Sequence, residues 1–376
     1  MKLIQNIILV IIISINSAFA LIDTNAETAI IMDADTGYIL YEKNVDKKVF
    51  PASMTKIMTT LIVFEKLSNG SLTLDDTFLV SEKAWKEREG SSMFVEVDKE
   101  IRVEDLLRGI IVQSGNDACI VVAENISGSE KTFSILMNEM ANDIGLENTN
   151  FTNSTGMHNV KNYSTVADIA KMSQYLINQY PEFYHLFSET EFEWSGISQK
   201  NRNPLLYKDI GADGLKTGYL SVSGYGLAAS AKNSNRRLIV VGHGFTSQQK
   251  RSQGTARLLN WGFREFTNIN LYSKSSDVGF LPLSMASEDT VSLTTDKDIV
   301  ITVTKAKKDA IQTEIVPVDN LKVPFKQGDV VALLKVMIPK TDPQYINLVA
   351  TKDIEEAGYI SSFISYIYSS VLSLFD

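Results

Sequence analysis

Cysteine is almost absent from this chain of 376 residues, and so is any excess of positive charge. The single cysteine, Cys119, cannot form an internal disulfide, so the apolar core must hold the folded chain together. Cys119 lies in the apolar stretch ACIVVAENI, which predicts a buried packing residue. The formal net charge of -9 disfavours nucleic acid as a partner, and also general adsorption to anionic lipid.

Two catalytic patterns are missing as well. No His-Glu-x-x-His sequence occurs, so we predict neither a metal nor another cofactor. No Gly-x-Ser-x-Gly elbow occurs, and the three histidines follow no signature, which disfavours a Ser-His-Asp hydrolase. One of them, His243, lies in an apolar strand run and is predicted to be structural.

The first segment of the chain has the pattern of a secretory signal. Lys2 supplies a positive charge, Ile7–Ile15 is an apolar run, and the stretch AFA that follows has the small-x-small pattern of a cleavage site. We therefore predict that residues 1–20 are a signal peptide cleaved before Leu21, with an uncleaved membrane anchor as the alternative. Such a protein is exported to the periplasm or to the outer face of the cytoplasmic membrane.

The last segment, residues 357–376, has no charge between Gly358 and Phe375 but contains six serines. On a helix, its large apolar residues fall on one face and most serines on the other, which favours a helix lying in a membrane interface. We predict peripheral anchoring to a membrane surface. The alternative is a helix docked on the protein's own surface or on a second subunit.

Strand and helix patterns predict two domains between these ends. β-rich runs flank turns at Asp33–Gly37 and Asn233–Asn235, helical periodicity fills most of residues 104–177, and TARLLNWGFREF reads as a closing helix. Short β-rich runs follow the linker-like stretch SKSSDVG. We predict a first domain over residues 21–268 and a small, sandwich-like all-β domain over residues 275–352.

Ser53 and Lys56 form a Ser-x-x-Lys pair where the apolar spacing predicts the start of an amphipathic helix. The spacing alone is unspecific, since it recurs from Ser247 to Lys250. Two further motifs follow in order, and the ordered set is typical of serine penicillin-interacting enzymes. The set is Ser53-x-x-Lys56, Ser114-Gly115-Asn116 and Lys216-Thr217-Gly218.

These residue types suit one another chemically. One helical turn from Ser53, the Lys56 amine lies within hydrogen-bond reach of the hydroxyl and can act as its general base. The amine must be neutral to accept a proton, and Lys216 nearby would lower its pKa while helping to bind an anionic substrate. Ser114 is suited to relay a proton between Lys56 and a leaving amine, and the Asn116 amide to bond a substrate carbonyl or to fix Lys56.

The same stretches offer groups that can bind a substrate. Ser53, at a helix N-terminus, provides a backbone N–H for an oxyanion, and the amide of Tyr219 is a second donor. On an edge strand, Gly218 would remove bulk beside the substrate backbone, and Thr217 offers a hydroxyl to a carboxylate. Taken singly, the motif residues are more typical of a helix cap or a turn, and only the ordered set favours a serine acyl-enzyme.

The chain resembles the low-molecular-mass penicillin-binding proteins, which are serine-type D-alanyl-D-alanine carboxypeptidases. The likeness reaches beyond the motifs to AIIMDADTGYILYEKNVDKKVFPASMTKIMT, GLENTNFTNSTGMH, NRNPLLY and DGLKTGYLSVSGYGLAASA, and to the second domain and the tail. It implies an α/β (α+β) penicillin-recognising catalytic domain, with an antiparallel sheet, helices on both faces and a helical subdomain, followed by a small all-β domain. It also implies action on peptidoglycan stem peptides ending in D-Ala-D-Ala, and covalent inhibition by β-lactam antibiotics.

The resemblance implies a role for each motif residue. It makes Thr217 the ligand of the substrate's terminal carboxylate, and places a carboxylate-binding arginine at Arg251, in the weaker match FTSQQKRSQGTARLL. The alternative for Arg251 is a solvated helix residue. The remaining roles are nucleophile for Ser53, general base for Lys56, proton and substrate network for Ser114, Asn116 and Lys216, and oxyanion hole for the amides of Ser53 and Tyr219.

Two other functions are compatible with parts of the pattern. A β-lactamase shares the acylation chemistry but needs a carboxylate that activates water for deacylation, and Glu147 in GLENTN is the nearest candidate in the sequence. A wall-binding scaffold with a decayed catalytic site is the other alternative. Every catalytic position is filled, however, which favours the carboxypeptidase.

Overall fold

The computed structural model describes residues 22–87 and 89–357. The predicted signal peptide, residues 1–20, lies outside the described residues, as does the predicted anchoring helix from residue 358 onward. Within the described part of the chain, no helix is both long and apolar enough to cross a bilayer.

Strands and α-helices alternate along the first two thirds of the described chain, and strands predominate after them. In chain order the strands are β1 (Thr28–Asp33), β2 (Ile39–Lys43), β3 (Thr77–Leu79), β4 (Glu100–Arg102), β5 (Glu191–Trp194), β6 (Ile197–Lys200), β7 (Ala212–Leu220), β8 (Gly224–Asn233), β9 (Arg236–Phe245), β10 (Phe266–Tyr272), β11 (Gly279–Pro282), β12 (Thr290–Thr294), β13 (Ile299–Thr304), β14 (Gln312–Pro317), β15 (Val330–Met337) and β16 (Gln344–Ala350). The α-helices are α1 (Lys56–Ser68), α2 (Glu82–Lys86), α3 (Val103–Ile111), α4 (Asn116–Ser127), α5 (Glu130–Asp143), α6 (Val166–Gln179) and α7 (Gln248–Glu265).

A five-stranded antiparallel sheet in the order β2-β1-β9-β8-β7 is the centre of the first region. Alternate residues of β1 enter different cores, because successive side chains of a strand point to opposite faces. Ile30 packs with α1 and α6, whereas Ile31 packs with α7. The predicted sheet with helices on both faces is therefore confirmed, as are its two predicted turns.

Helices α3, α4, α5 and α6 form the predicted helical block beside α1, and share one apolar core with it. Cys119 is fully buried there, as predicted, and burial raises the pKa of its thiol to about 12. The thiol is therefore a packing group at neutral pH.

The second region is all-β, as predicted. Strands β11-β12-β16-β15-β14 form a five-stranded sheet, and β10 pairs with β13. Strand β10 follows α7 directly. The two sheets of this region share one apolar core, which includes the buried residues Val291, Leu334 and Leu348. The exact domain boundaries stay a prediction.

Asp33 joins the two regions through hydrogen bonds in a buried position. Its carboxylate accepts hydrogen bonds from Arg236 Nε at 2.8 Å and from Asn268 Nδ2 at 3.2 Å, so it ties β1 and β9 to β10. The Asp33 side chain is fully buried, and Thr36 bonds Thr302 across the same junction at 2.6 Å.

Two predicted helix starts need correction. Helix α7 begins at Gln248, seven residues before the predicted TARLLNWGFREF, because the Ser247 hydroxyl caps it by accepting from Lys250 N at 3.2 Å. The predicted helix after Ser53 begins as a 3-10 turn over Ala52–Thr55, and the α-helix itself starts at Lys56. The hydroxyl of Ser53 caps neither segment.

Candidate active site

One cleft brings together all the motifs that the sequence predicted. Its walls are the turn at Ala52 and Ser53, the loop 89–91, Ser114 with Asn116, the loop 155–157, the end of β7 and the start of α7. Each wall comes from a different segment of the first region. The site therefore depends on the tertiary fold, and no single motif can form it.

Lys56 is fully buried, and its amine contacts three residues that line this cleft. Its Nζ is 3.1 Å from Ser53 Oγ, 2.7 Å from Asn116 Oδ1 and 2.6 Å from the carbonyl oxygen of Thr155. A neutral amine has two N–H groups and one lone pair. The Asn116 Oδ1 atom and the Thr155 carbonyl oxygen can only accept, so they take the two N–H groups of a neutral amine. The lone pair is then left for the proton of Ser53.

Burial is the main cause that lowers the pKa of Lys56, and the positive charge of Arg202 lowers it further. The pKa of Lys216 lies well below its ordinary value, first through burial and then through repulsion from Lys56 and Arg202. The predicted lowering of the Lys56 pKa by Lys216 therefore needs correction. The repulsion acts on Lys216, whereas the pKa of Lys56 is lowered by burial and by the charge of Arg202.

Ser114 reaches the site from a strained backbone conformation. Its φ is +61°, and that of Ala52, next to Ser53, is +49°. Both values lie in the left-handed region that residues with a β-carbon rarely adopt. The Ser114 hydroxyl accepts from Lys216 Nζ at 2.9 Å. A proton route through Ser114 therefore leads to Lys216, whereas the sequence pattern links Ser114 to Lys56.

The loop over residues 89–95 fixes the orientation of Asn116. Its amide Nδ2 donates to the carbonyl of Glu89 at 2.8 Å, which leaves Oδ1 for Lys56. The neighbouring Asp117 is fully buried and accepts from the backbone N–H groups of Met93 and Phe94 at 2.8 and 2.7 Å. Asp117 thus holds the loop that holds Asn116.

Strand β7 carries Lys216, Thr217, Gly218 and Tyr219 at the edge of the sheet, and Thr217 to Tyr219 line the cleft. The structure shows a reason for the glycine besides the predicted one, which stays a prediction. A β-carbon at Gly218 would lie 2.7 Å from the carbonyl oxygen of Pro51, so the glycine is required by the turn that carries Ser53.

Arg251, on the first turns of α7, lines the same cleft and is only 7% exposed. The alternative of a solvated helix residue is therefore wrong. Burial lowers the pKa of its guanidinium to about 10. The guanidinium lies 5.6 Å from the ring centroid of Tyr225, and its buried Nε has no hydrogen-bond partner.

Sequence reasoning missed several groups of this cleft. Thr155 contributes its backbone carbonyl, and the type of a residue does not indicate such a role because every residue has a carbonyl. Asp117 directly follows the second motif, but the motif predicts no role for it. Gly156 was the available signal for the loop: its φ is +82°, and a β-carbon there would overlap the carbonyl of Ala52 at 1.9 Å. Arg202 lies in the stretch NRNPLLY and lines the cleft, and its Nε donates to the carbonyl of Gln113 at 3.1 Å.

Three other sequence candidates lie outside the cleft. Glu147 is exposed and is not one of the residues that line it. His243 is buried, as predicted for a structural residue, with Nε2 3.1 Å from the carbonyl oxygen of Phe50. Ser247, in the second Ser-x-x-Lys copy, is the cap of α7.

A known protein family matches each of the two regions of the chain. Residues 15–246 match the family model of D-alanyl-D-alanine carboxypeptidase, and residues 266–356 match that of the penicillin-binding protein 5 C-terminal domain. The D-alanyl-D-alanine carboxypeptidase DacA of Haemophilus influenzae is 35% identical over 93% of this chain and 91% of its own length. The DacA protein of Escherichia coli (strain K12) is 33% identical over 91% of this chain and 87% of its own length.

Among solved structures, penicillin binding protein 5 from Haemophilus influenzae superposes with a TM-score of 0.85 at 34% identity. The superposition covers 89% of this chain and 98% of that one. The superposition thus includes both the first region and the all-β second region of this chain. The chain belongs to the D-alanyl-D-alanine carboxypeptidase family.

Proposed function

We propose that this enzyme removes the terminal D-alanine from peptidoglycan stem pentapeptides ending in D-Ala-D-Ala, through an acyl-enzyme on Ser53. The observation that carries the proposal is the environment of Lys56 Nζ. Two acceptors take its N–H groups, and its third neighbour, at 3.1 Å, is the Ser53 hydroxyl. A serine beside a buried amine with a lowered pKa is the activated nucleophile that acyl transfer needs.

In the acylation step, Ser53 Oγ attacks the carbonyl carbon of the penultimate D-alanine, and its proton passes to Lys56. The N–H groups of Ser53 and Tyr219 stabilise the negative oxygen of the tetrahedral intermediate. The C–N bond then breaks, and the amine of the leaving D-alanine takes a proton from Lys216 through the Ser114 hydroxyl, to which Lys216 is hydrogen-bonded. Water then attacks the ester carbonyl carbon and gives one proton back to Lys216 through Ser114. As the ester C–O bond breaks, Lys56 returns its proton to Ser53 Oγ.

Substrate recognition rests on the carboxylate of the leaving D-alanine. The hydroxyl of Thr217 and the guanidinium of Arg251 face the same cleft, beside the small residue Gly218. A buried arginine without an ion pair favours an anion in its vicinity. β-Lactam antibiotics carry a carboxylate and a reactive amide, so we propose that they acylate Ser53 as covalent inhibitors.

The experiment uses the purified protein with a peptide ending in D-Ala-D-Ala and with penicillin. We expect release of D-alanine, and a mass gain of one penicillin on Ser53. Both signals should disappear in Ser53→Ala, and labelling that persists in this variant contradicts the assignment. Rapid turnover of penicillin without an accumulating acyl-enzyme would favour the β-lactamase, and a protein without either signal would be the decayed scaffold.

The location of the protein is part of the proposal. We propose export through a signal peptide over residues 1–20, a catalytic domain over 21–268, a β domain over 275–352, and peripheral attachment to a membrane surface through residues 357–376. Cell fractionation with and without residues 358–376 tests the attachment. A mature chain that stays soluble in both forms contradicts it.

A further inference from the structure

Three side chains form a stack at one wall of the cleft. The rings of Tyr219 and Tyr225 lie 4.3 Å apart at an interplanar angle of 29°, and the Arg251 guanidinium lies 5.6 Å from the Tyr225 centroid. All three residues line the cleft, and Tyr219, the outermost of them, is 52% exposed. The stack therefore runs from the solvent to a buried cation.

The strand register explains how the stack forms. Tyr219 of β7 is directly opposite Tyr225 of β8, so the two rings share a face of the sheet. Thr217 lies two residues before Tyr219 and therefore shares that face as well. Leu227, opposite Thr217, packs in the core beneath α7, the helix that carries Arg251. The stack and the predicted carboxylate ligand Thr217 thus lie on the α7 side of the sheet.

Tyr225 is the group that fixes the guanidinium. Within residues 22–87 and 89–357, no side-chain hydrogen bond or ion pair joins Arg251 to another residue, and its contact is the Tyr225 ring. A cation within about 6 Å of a ring centroid is attracted by the ring, more strongly when it is desolvated. Restraining a long side chain before binding removes an entropy cost that the ligand would otherwise bear.

We propose that Tyr225, held by its stacking on Tyr219, is a positioning residue for Arg251 and thereby sets the preference of the enzyme for peptides that end in a free carboxylate. The inference rests on the proposed carboxypeptidase function. It adds a residue that acts only on the recognition of the terminal anion. The chemistry at Ser53 and Lys56 does not involve it.

The test compares two substrates that differ only in the terminal charge: a D-Ala-D-Ala peptide with a free carboxylate, and the same peptide as its C-terminal amide. Tyr225→Leu should lower the acid-to-amide ratio of kcat/KM roughly tenfold, the size of a desolvated cation–π contact, mainly through KM of the acid. Tyr225→Phe keeps the ring and should restore the ratio. Tyr345→Leu, a change of the same kind on the exposed surface of the β region, should leave it unchanged.

A double variant shows whether Tyr225 acts through the arginine. If it does, Tyr225→Leu combined with Arg251→Leu should have the same ratio as Arg251→Leu alone, since coupled residues are not additive. An unchanged ratio in Tyr225→Leu overturns the proposal, as does an equal loss of kcat/KM on both substrates. Should Tyr225→Leu fail to fold, Tyr219→Leu at the exposed end of the stack replaces it, with a smaller fall of the ratio expected and an unchanged ratio again overturning the proposal.

A second readout separates this inference from the proposed function. A penicillin and its carboxylate methyl ester differ in the same negative charge as the two peptides. The ratio of their rates of Ser53 acylation can be measured without any carboxypeptidase turnover. If the unmodified protein releases no D-alanine, the proposed function fails, and the penicillin-to-ester ratio still tests the stack. An unchanged ratio in Tyr225→Leu in that assay overturns the inference by itself.

Discussion

At the scale of single residues, the protonation of Lys56 should control the pH dependence of acylation. Its pKa is lowered chiefly by burial, and only the neutral amine can take the proton of Ser53. The acylation rate should therefore rise with pH through the lowered pKa, and be lost as the pH falls below it. We expect this acid limb below the ordinary lysine value of about 10.4.

The pH profile of penicillin acylation measures this limb. Arg202→Gln is an informative variant, because the charge of Arg202 helps to lower the pKa of Lys56. Its acid limb should move to higher pH. A limb that lies at or above the ordinary lysine value in the unmodified enzyme, or that stays in place in Arg202→Gln, contradicts this account.

Ser247 provides a second test at the residue scale, since it has the same spacing to a lysine as Ser53. Its hydroxyl accepts from Lys250 N at 3.2 Å as the cap of α7. Ser247→Ala should lower the free energy of unfolding by about 1 kcal/mol, the usual contribution of such a cap. Denaturant unfolding measures the loss. Penicillin should still label Ser53, and lost labelling would show that the second copy of the motif has a role in catalysis.

At the scale of elements, the fit of β7 against the turn at Ala52–Thr55 should be intolerant of added volume. In Gly218→Ala, the new β-carbon would lie 2.7 Å from the Pro51 carbonyl oxygen and 3.2 Å from the Ala52 β-carbon. Because a backbone atom is in the way, the strand or the turn must shift. A displacement of this kind at a catalytic group lowers rates by on the order of 100-fold, and we expect acylation of Ser53 to fall by that order.

Gly70→Ala is the matched control for this substitution. Gly70 has a φ of +75°, and no atom lies within 4 Å of the point where a β-carbon would stand, so alanine there adds backbone strain but no clash. It should cost about 1 kcal/mol of stability and leave the acylation rate unchanged. If both variants lose acylation equally, the effect of Gly218→Ala is a general loss of stability.

The elements differ in how far the sequence could predict them. Helices such as α6 and hairpins such as β8-β9 carry a sustained apolar period, and the sequence predicted them. The first half of α7 reads QQKRSQG, which is polar and contains glycine, so only its cap shows where it begins. The three-residue strands β3 and β4 are too short for a pattern, and their pairing is a tertiary contact.

The candidate site also contains some groups that the sequence could predict and others that it could not. The side chains of Ser53, Lys56, Ser114, Asn116 and Lys216 could be predicted because their types and order are specific. The carbonyl of Thr155 could not, since every residue has one and only the fold decides where it points. The close packing of Gly218 against Pro51 could not be predicted either, because the two residues are distant in the sequence.

At the scale of the whole molecule, Asp33 should be a main determinant of the junction between the two regions. Its partners Arg236 and Asn268 lie 203 and 235 residues away along the chain, so no local pattern indicates the contact. Asp33→Ala would leave the Arg236 guanidinium without its carboxylate. Breaking a buried pair in this way costs about 3 kcal/mol.

Calorimetry measures the effect at the level of the two regions. We expect a lower unfolding temperature for Asp33→Ala, with the transitions of the catalytic and β regions further apart than in the unmodified protein. Asp35→Ala, two residues away and exposed, is the control and should change stability by less than about 0.5 kcal/mol. An equal loss in both variants would argue against a role of the buried network.

The positive φ angles at Ala52 and Ser114 affect how this protein can evolve. Each such angle costs about 1–3 kcal/mol of stability, and glycine at either position would remove that backbone strain. At Ser114, that release would also remove the hydroxyl bonded to Lys216. Selection for heat resistance alone would therefore find some of its easiest gains inside the active site, and each gain there would come at the expense of catalysis.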